Sequence, residues 1–145
     1  MGTPASGVAT NITGITLAGI LPAAKTEHLS IAVSDETTAL TTGTGKVTFR
    51  MPYAFTLTDI RASLTTAPTT SGLFTVDVNE GGTSIMTTNK LTIDLTEKTT
   101  ESAATAPALT DTALANDAEI TVDIDVISGG ATEAGLKVYL IGYQT

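Results

Sequence analysis

One histidine, His28, sits beside Glu27 and two residues before Ser30. An acid, an imidazole and a hydroxyl are the groups of a nucleophilic triad. A hydroxyl nucleophile also needs a strained turn to present it, and no G-x-S-x-G elbow occurs in the chain. His28 is therefore a surface or junction residue on this reading, and no catalytic residue is assigned. The acids offer a second chemistry. Asp123 and Asp125 share one face of an alternating segment, Asp111, Asp117 and Glu119 lie upstream, and Asp77 and Asp94 sit inside other alternating segments. Calcium gathers about six to eight oxygens, many from carboxylates and loop carbonyls. The spacing fits no EF-hand, so two readings stand: a loop-bound calcium at Asp117, Asp123 or Asp125, or a solvated face paired across strands with Lys137. No metal ligand set and no cofactor are assigned. Two carboxylates could also flank a glycosidic bond, but sugar sites add aromatic platforms and aromatics make up 4% of this chain. The expectation is a non-enzymatic protein.

These side chains need elements to hold them, and a two-residue rhythm supplies the elements. Glu119-Ile120-Thr121-Val122-Asp123-Ile124-Asp125-Val126 puts an apolar residue at every even position and a polar one at every odd position. Side chains of a strand alternate between faces, so this predicts a strand with one dry and one wet side. The same rhythm occurs at residues 29–33, 46–51, 74–78, 83–86, 90–95 and 136–143. Phe55 and Leu57 are odd whereas Ile60, Ala62 and Leu64 are even, which predicts a bulge near Thr58 and Asp59. Asn79-Glu80-Gly81-Gly82 is a turn signal, since Gly tolerates positive φ. Residues 96–117 lack the rhythm; an edge strand near residues 108–110 and a helical turn capped by Asp111 are expected there. Residues 1–27 are an extended arm punctuated by Gly and Pro, or a first strand, and residues 28–145 form the domain. The predicted architecture is all-β, a two-sheet antiparallel sandwich or jelly roll of about eight strands with an extended N-terminal arm.

Composition narrows the function classes. A chain of 145 residues supports one domain with a core. Threonine occurs 31 times, and its β-branched side chain covers wet strand faces without adding charge. No cysteine is present, which removes disulfides, thiolate metal sites and a cysteine nucleophile. The net charge is −8 and the seven basic residues are scattered, the opposite of a phosphate-binding patch, so no nucleic-acid partner is expected. The stretch from residue 12 to residue 24 is interrupted by Thr, Gly and Pro and falls short of the ~20 apolar residues that span a bilayer, so no membrane partner is expected either.

Two sets of residues point to contacts, the arm with its own domain or a neighbour and the last strand with another subunit or with cover from within the chain. Ile12, Ile15, Leu17, Ile20 and Leu21 make the arm too apolar to stand free in water. In the last strand Leu136, Val138 and Leu140 face inward, which leaves Lys137, Tyr139, Ile141 and Tyr143 on a nominally wet face. Aromatic residues there mark an interface or a surface covered by the arm or the other sheet.

Several strings carry a resemblance. They are Lys46-Val47-Thr48-Phe49-Arg50-Met51-Pro52-Tyr53-Ala54-Phe55-Thr56-Leu57, Arg61-Ala62-Ser63-Leu64-Thr65-Thr66-Ala67-Pro68, Val76-Asp77-Val78-Asn79-Glu80-Gly81-Gly82-Thr83-Ser84-Ile85, Lys90-Leu91-Thr92-Ile93-Asp94, residues 117–125, and Gly135-Leu136-Lys137-Val138-Tyr139-Leu140-Ile141-Gly142. Together they resemble a module of structural proteins of tailed bacteriophages, found alone or at the ends of fibre-like chains, over about residues 29 to 143. The resemblance carries no catalytic motif. It implies a virion component made in the host bacterial cytoplasm, and for a small stand-alone member a capsid decoration (cement) protein on the capsid surface. The implied partners are the major capsid protein and further copies of itself in a homo-oligomer, a trimer being the arrangement the resemblance implies. The alternative is a receptor- or glycan-binding module of a tail fibre, with residues 65–72 and 96–117 as the contacting loops. A secreted carbohydrate-binding module of a cell is a third reading.

Overall fold

The structure, a computed structural model, describes residues 24–145. Nine strands follow in chain order: β1 (Glu27–Ala32), β2 (Gly43–Arg50), β3 (Phe55–Ser63), β4 (Phe74–Glu80), β5 (Thr83–Ser84), β6 (Leu91–Ile93), β7 (Ala113–Leu114), β8 (Glu119–Val126) and β9 (Lys137–Gln144). The first sheet has the order β1-β9-β3-β7, and the second has the order β2-β8-β4-β5 with β6 also on β4. Every named pairing is antiparallel. β5 and β6 both pair with β4, through Asn79↔Ser84 and Val76↔Leu91, and act as two pieces of one interrupted strand. Counted so, the chain crosses between sheets at every connection except the β4–β5 hairpin. That is the winding of an eight-stranded jelly roll, within the two-sheet antiparallel class the alternation predicts.

The alternation also sets the core. Phe55, Leu57, Ile60, Ala62, Val138 and Leu140 from the first sheet meet Phe74, Val76, Val78, Leu91, Ile93, Ile120, Val122 and Ile124 from the second, and all are buried. Each such aliphatic or phenyl side chain contributes roughly 1.5–3 kcal/mol by leaving water. Leu29 and Ile31 of β1 pack at the margin of this cluster.

Departures from the two-residue rhythm have local causes. In β3 the register against β9 shifts between Leu57 and Asp59, so Thr58 is the extra residue and the predicted bulge is present. In β8 the register against β4 shifts between Val76↔Ile124 and Thr75↔Val126. Asp125 is the extra residue there, and Val126 is turned outward to 44% exposure instead of joining the dry face as the alternation predicts. β6 ends at Ile93, and Thr96 adopts φ 67, so Leu95 is exposed rather than inward. Residues 83–86 form a strand only to Ser84; Ile85 and Met86 then turn into the core.

The edge strand expected at residues 108–110 lies instead at Ala113–Leu114. Residues 108–110 run beside the β5–β6 connection, with Ala108 N donating to Asn89 O and Thr110 N to Ile85 O. The expected turn at Asp111 is absent as well. Asp111 Oδ1 accepts from Ala113 N as the chain extends into β7, while a 3-10 turn forms at Thr100–Ser102, capped by Thr99.

Candidate functional site

Backbone alternation separates the triad candidates. His28 and Ser30 point outward from β1 and are exposed, while Glu27 faces the other side. There Glu27 Oε2 accepts from Tyr53 Oη at 3.1 Å and Oε1 from Gln144 N at 2.9 Å. Burial, then the Glu27 carboxylate, holds the Tyr53 phenol above its ordinary pKa. The three groups form no relay.

The acids are likewise committed, each to a donor in its own neighbourhood. Asp123 Oδ1 accepts from Gly45 N at 2.6 Å and Oδ2 from Asn79 Nδ2 at 3.0 Å. Lys90 Nζ lies 2.6 Å from Asp125 Oδ2 and 2.7 Å from the buried Asp77 Oδ2. Asp125 and then Asp77 hold the Lys90 ammonium above its ordinary pKa. Asp94 Oδ2 accepts from Ala104 N at 2.9 Å. Glu119 pairs with Arg50, whose Nη1 also donates to Asp117 O. The expected partner, Lys137, does not take part, because β9 belongs to the other sheet; its ammonium meets Glu36 at 2.5 Å. Among the described residues no group of three or more His, Asp or Glu side chains could hold a metal ion.

One more acid is fully buried. Glu133 sits in the β8–β9 connection, where Ser128 N donates to its Oε1 at 2.7 Å, while its Oε2 and Ser128 Oγ have no hydrogen-bond partner. Burial pushes this carboxyl up, but hydrogen bonds from Ser128 and neighbouring amides pull harder and lower it overall.

The outer face of the first sheet differs from all of this. β9 lies between β1 and β3, so its outward side chains run down the middle of the sheet. Tyr139, Ile141 and Tyr143 point outward there and are half-buried. The register places Ser30 and Arg61 on either side of Tyr139, and His28 and Asp59 on either side of Ile141. Tyr139 Oη and Ser63 Oγ are 3.0 Å apart. The rim charges are paired with one another: Arg61 meets Asp59 at 2.8 Å and Glu101 at 2.5 Å, one cation between two carboxylates. Thr26, Glu27, His28, Arg61, Tyr139 and Ile141 line a shallow depression on this face. Further along β9 the Lys25 ammonium stands 4.7 Å from the centre of the Tyr143 ring, within cation–π range.

Of the residues predicted from sequence to make contacts, the structure brings Tyr139, Ile141 and Tyr143 together in one stripe. Ile12, Ile15, Leu17, Ile20 and Leu21 lie outside the described residues. Sequence reasoning missed Lys90, which knits the acids of the second sheet, because its partners lie on β4 and β8 and only tertiary pairing joins them. It also missed Arg61 and Lys25 at the rim of the Tyr–Ile stripe. Among the described residues no helix is long and apolar enough to cross a membrane.

The chain matches no family model, no curated protein and no solved structure. Fold and surface together define a β-jelly-roll whose two outer faces differ in kind. The second sheet presents carboxylates, threonines and their paired cations, and the first presents a Tyr–Ile–Tyr stripe with its charges tied off at the margin.

Proposed function

We propose that this protein is a non-enzymatic structural component of a bacteriophage virion, a capsid decoration protein that binds the head surface and stabilises the shell. The observation that carries the reading is the Tyr139–Ile141–Tyr143 stripe at the centre of a sheet whose flanking Arg61 is already paired with Asp59 and Glu101. Such a surface is suited to lasting protein contact, because it can hide apolar area while the rim charges keep their own partners. The resemblance of residues 29–143 to phage structural modules supplies the setting. The partners on this reading are the major capsid protein and sister copies in a homo-oligomer, a trimer being the arrangement the resemblance implies. Each contact is modest, and many copies on one shell multiply it through effective concentration.

A receptor- or glycan-binding role in a tail fibre is the second reading. A depression lined by Thr75, Thr88, Asn89, Lys90, Thr92 and Asp94 adjoins the 96–117 loop and favours it. That depression carries no aromatic side chain on which a sugar could stack.

Copy number in purified virions, measured by mass spectrometry against the major capsid protein, tests both readings. Hundreds of copies per particle are expected for a decoration protein. A few to a few tens would move the protein to the tail, and absence from the particle would refute both.

A further inference from the structure

β1 ends the order of the first sheet and, among the described residues, pairs on one side only, with β9. Its register runs unbroken from Glu27↔Gly142 to Ala32↔Lys137, and one step further on Val33 N donates to Leu136 O at 2.9 Å. Opposite residues of an antiparallel pair alternate between exchanging both backbone hydrogen bonds and exchanging none. Val33 and Leu136 are a bonded pair, so Ile31, Leu29 and Glu27 also turn their amides and carbonyls toward β9. Those of His28, Ser30 and Ala32 point the other way, into the open edge. Such a row of donors and acceptors is a template for one more strand. The side chains beside it are short of cover: Leu29, Ile31 and Val33 pack against the core only in part, and His28, Ser30 and Ala32 are exposed.

Among the described edges of this chain, the strand that fits β1 is β1 itself. β2 carries Lys46, Arg50 and a register shift, and β5 and β7 are two residues each. With Ser30 on a twofold axis, Ser30 faces the partner's Ser30, and His28 faces the partner's Ala32 in both directions. Each of these pairs presents the outward-pointing amides and carbonyls to one another, and a bonded pair exchanges two hydrogen bonds. On the inner side Leu29 faces the partner's Ile31, in a non-bonded pair, where side chains come closest. Glu27 faces the partner's Val33. Beyond the strand ends Lys25 comes level with the partner's Asp35, opposite charges at both ends of the contact. Sliding one copy by two residues loses a bonded pair, and in one direction sets Glu27 against the partner's Asp35, carboxylate against carboxylate.

We infer that two copies of this protein pair through β1, antiparallel about a twofold axis at Ser30, and join their four-stranded first sheets into one. A twofold contact uses the same edge of both copies, so the assembly closes and leaves no edge to propagate. In the joined sheet β9 and its copy flank the β1 pair, roughly 14 Å apart at three strand spacings. Both Tyr139–Ile141–Tyr143 stripes then lie on one continuous face. The inference does not rest on the virion reading, and absence of the protein from particles leaves it standing. It joins copies two by two, and the trimer implied by the resemblance would need another surface.

The chain has no cysteine, so single introduced thiols report the register. In a bonded pair the Cα atoms stand about 5.5 Å apart, inside the range a disulfide spans. Under mild oxidation Ser30→Cys is expected to link to itself on the order of tenfold faster than Thr48→Cys, an exposed control on β2. His28→Cys and Ala32→Cys should each link poorly alone and well when mixed, because each faces the other. Sedimentation equilibrium of the full chain over roughly 1 to 200 µM should reveal a species of twice 14.8 kDa. Ser30→Pro removes the amide on the axis without touching a bond to β9, and Ser30→Lys sets two like charges there. Each should weaken pairing by about tenfold or more, with circular dichroism checking the fold. Should either variant fail to fold, the cysteine series decides alone. A monomer at every concentration, self-association that both variants leave unchanged, Ser30→Cys linking no faster than Thr48→Cys, or His28→Cys linking to itself in preference to Ala32→Cys would overturn the inference.

Discussion

Replacing Lys90 with methionine tests whether the acids of the second sheet are held by one cation. The Asp77 side chain is 6% exposed, and its Oδ2 lies 2.7 Å from Lys90 Nζ. Its Oδ1 accepts from Ser84 Oγ at 2.7 Å and from Val78 N at 2.9 Å. Lys90→Met therefore strands a buried carboxylate with one oxygen still bonded and the other without its cation. Breaking a fully buried pair costs about 3–5 kcal/mol. The Lys90 side chain is 34% exposed, so water and salt reach the pair, and about 2 kcal/mol is the better figure. For a chain of this size that lowers Tm by roughly 4–8 °C. Adding Asp77→Asn keeps an acceptor for Ser84 and Val78 but removes the stranded charge. The double variant should recover about 1–2 kcal/mol relative to the sum of the singles. The pH dependence has a definite sign. Lys90 is raised above 10.5 in the folded protein, so the pair's contribution is present below that value and is lost as pH rises through the folded pKa. Thermal melts by circular dichroism and urea midpoints measure all of this. A loss under about 0.5 kcal/mol, or additivity of the two substitutions, would show that the pair behaves as an ordinary surface ion pair.

Gly142 sits in β9 opposite the β3 bulge, and a Cβ there would lie 2.0 Å from Thr56 O and 2.8 Å from Phe55 Cε1. The nearest obstacle is backbone, so Gly142→Ala is expected to cost about 3 kcal/mol and to lower the urea midpoint, and an unchanged midpoint would refute the packing argument. On the acid side, Thr38 and Thr37 amides donating to Asp35 Oδ1 hold its carboxyl at about 2, against an ordinary value of 3.8. A lowered folded pKa gives stability that is present above 3.8 and lost as pH falls toward 2. Tm should fall over that window, and Asp35→Asn, which keeps an acceptor oxygen, should flatten the fall; an equally steep profile in the variant would contradict it.

Strands with a dry and a wet side were legible because their period is local. The bulge at Thr58 was legible for the same reason, since Leu57 and Ile60 disagree in parity. The bulge at Asp125 was not, because Val126 keeps perfect alternation in sequence and only its pairing with Thr75 turns it outward. Ion-pair partners were misjudged where two strands adjacent in sequence part company. β8 and β9 follow one another in the chain but lie in different sheets, so Lys137 cannot serve Asp123 or Asp125, and Lys90 reaches across from before β6 instead. Of the contact stripe, Tyr139, Ile141 and Tyr143 were legible as apolar residues on the wrong side of an alternating strand. That β9 lies in the middle of its sheet, which turns three side chains into a surface, is a property of the winding alone.

The edges of the two sheets differ in how they are protected. β2 is an edge strand with a register shift between Gly43 and Val47 and with Lys46 and Arg50 along it, devices that discourage addition of another strand. β5 and β7 are two residues each and offer little to pair with. β1 differs from these: six residues in unbroken register from Glu27↔Gly142 to Ala32↔Lys137, with no Lys, Pro or bulge. A regular, unguarded edge beside an apolar stripe is costly to leave bare. β1 is therefore a described edge that lacks protection of its own, and it lies directly beside the Tyr139–Ile141–Tyr143 stripe, so one contact could cover both.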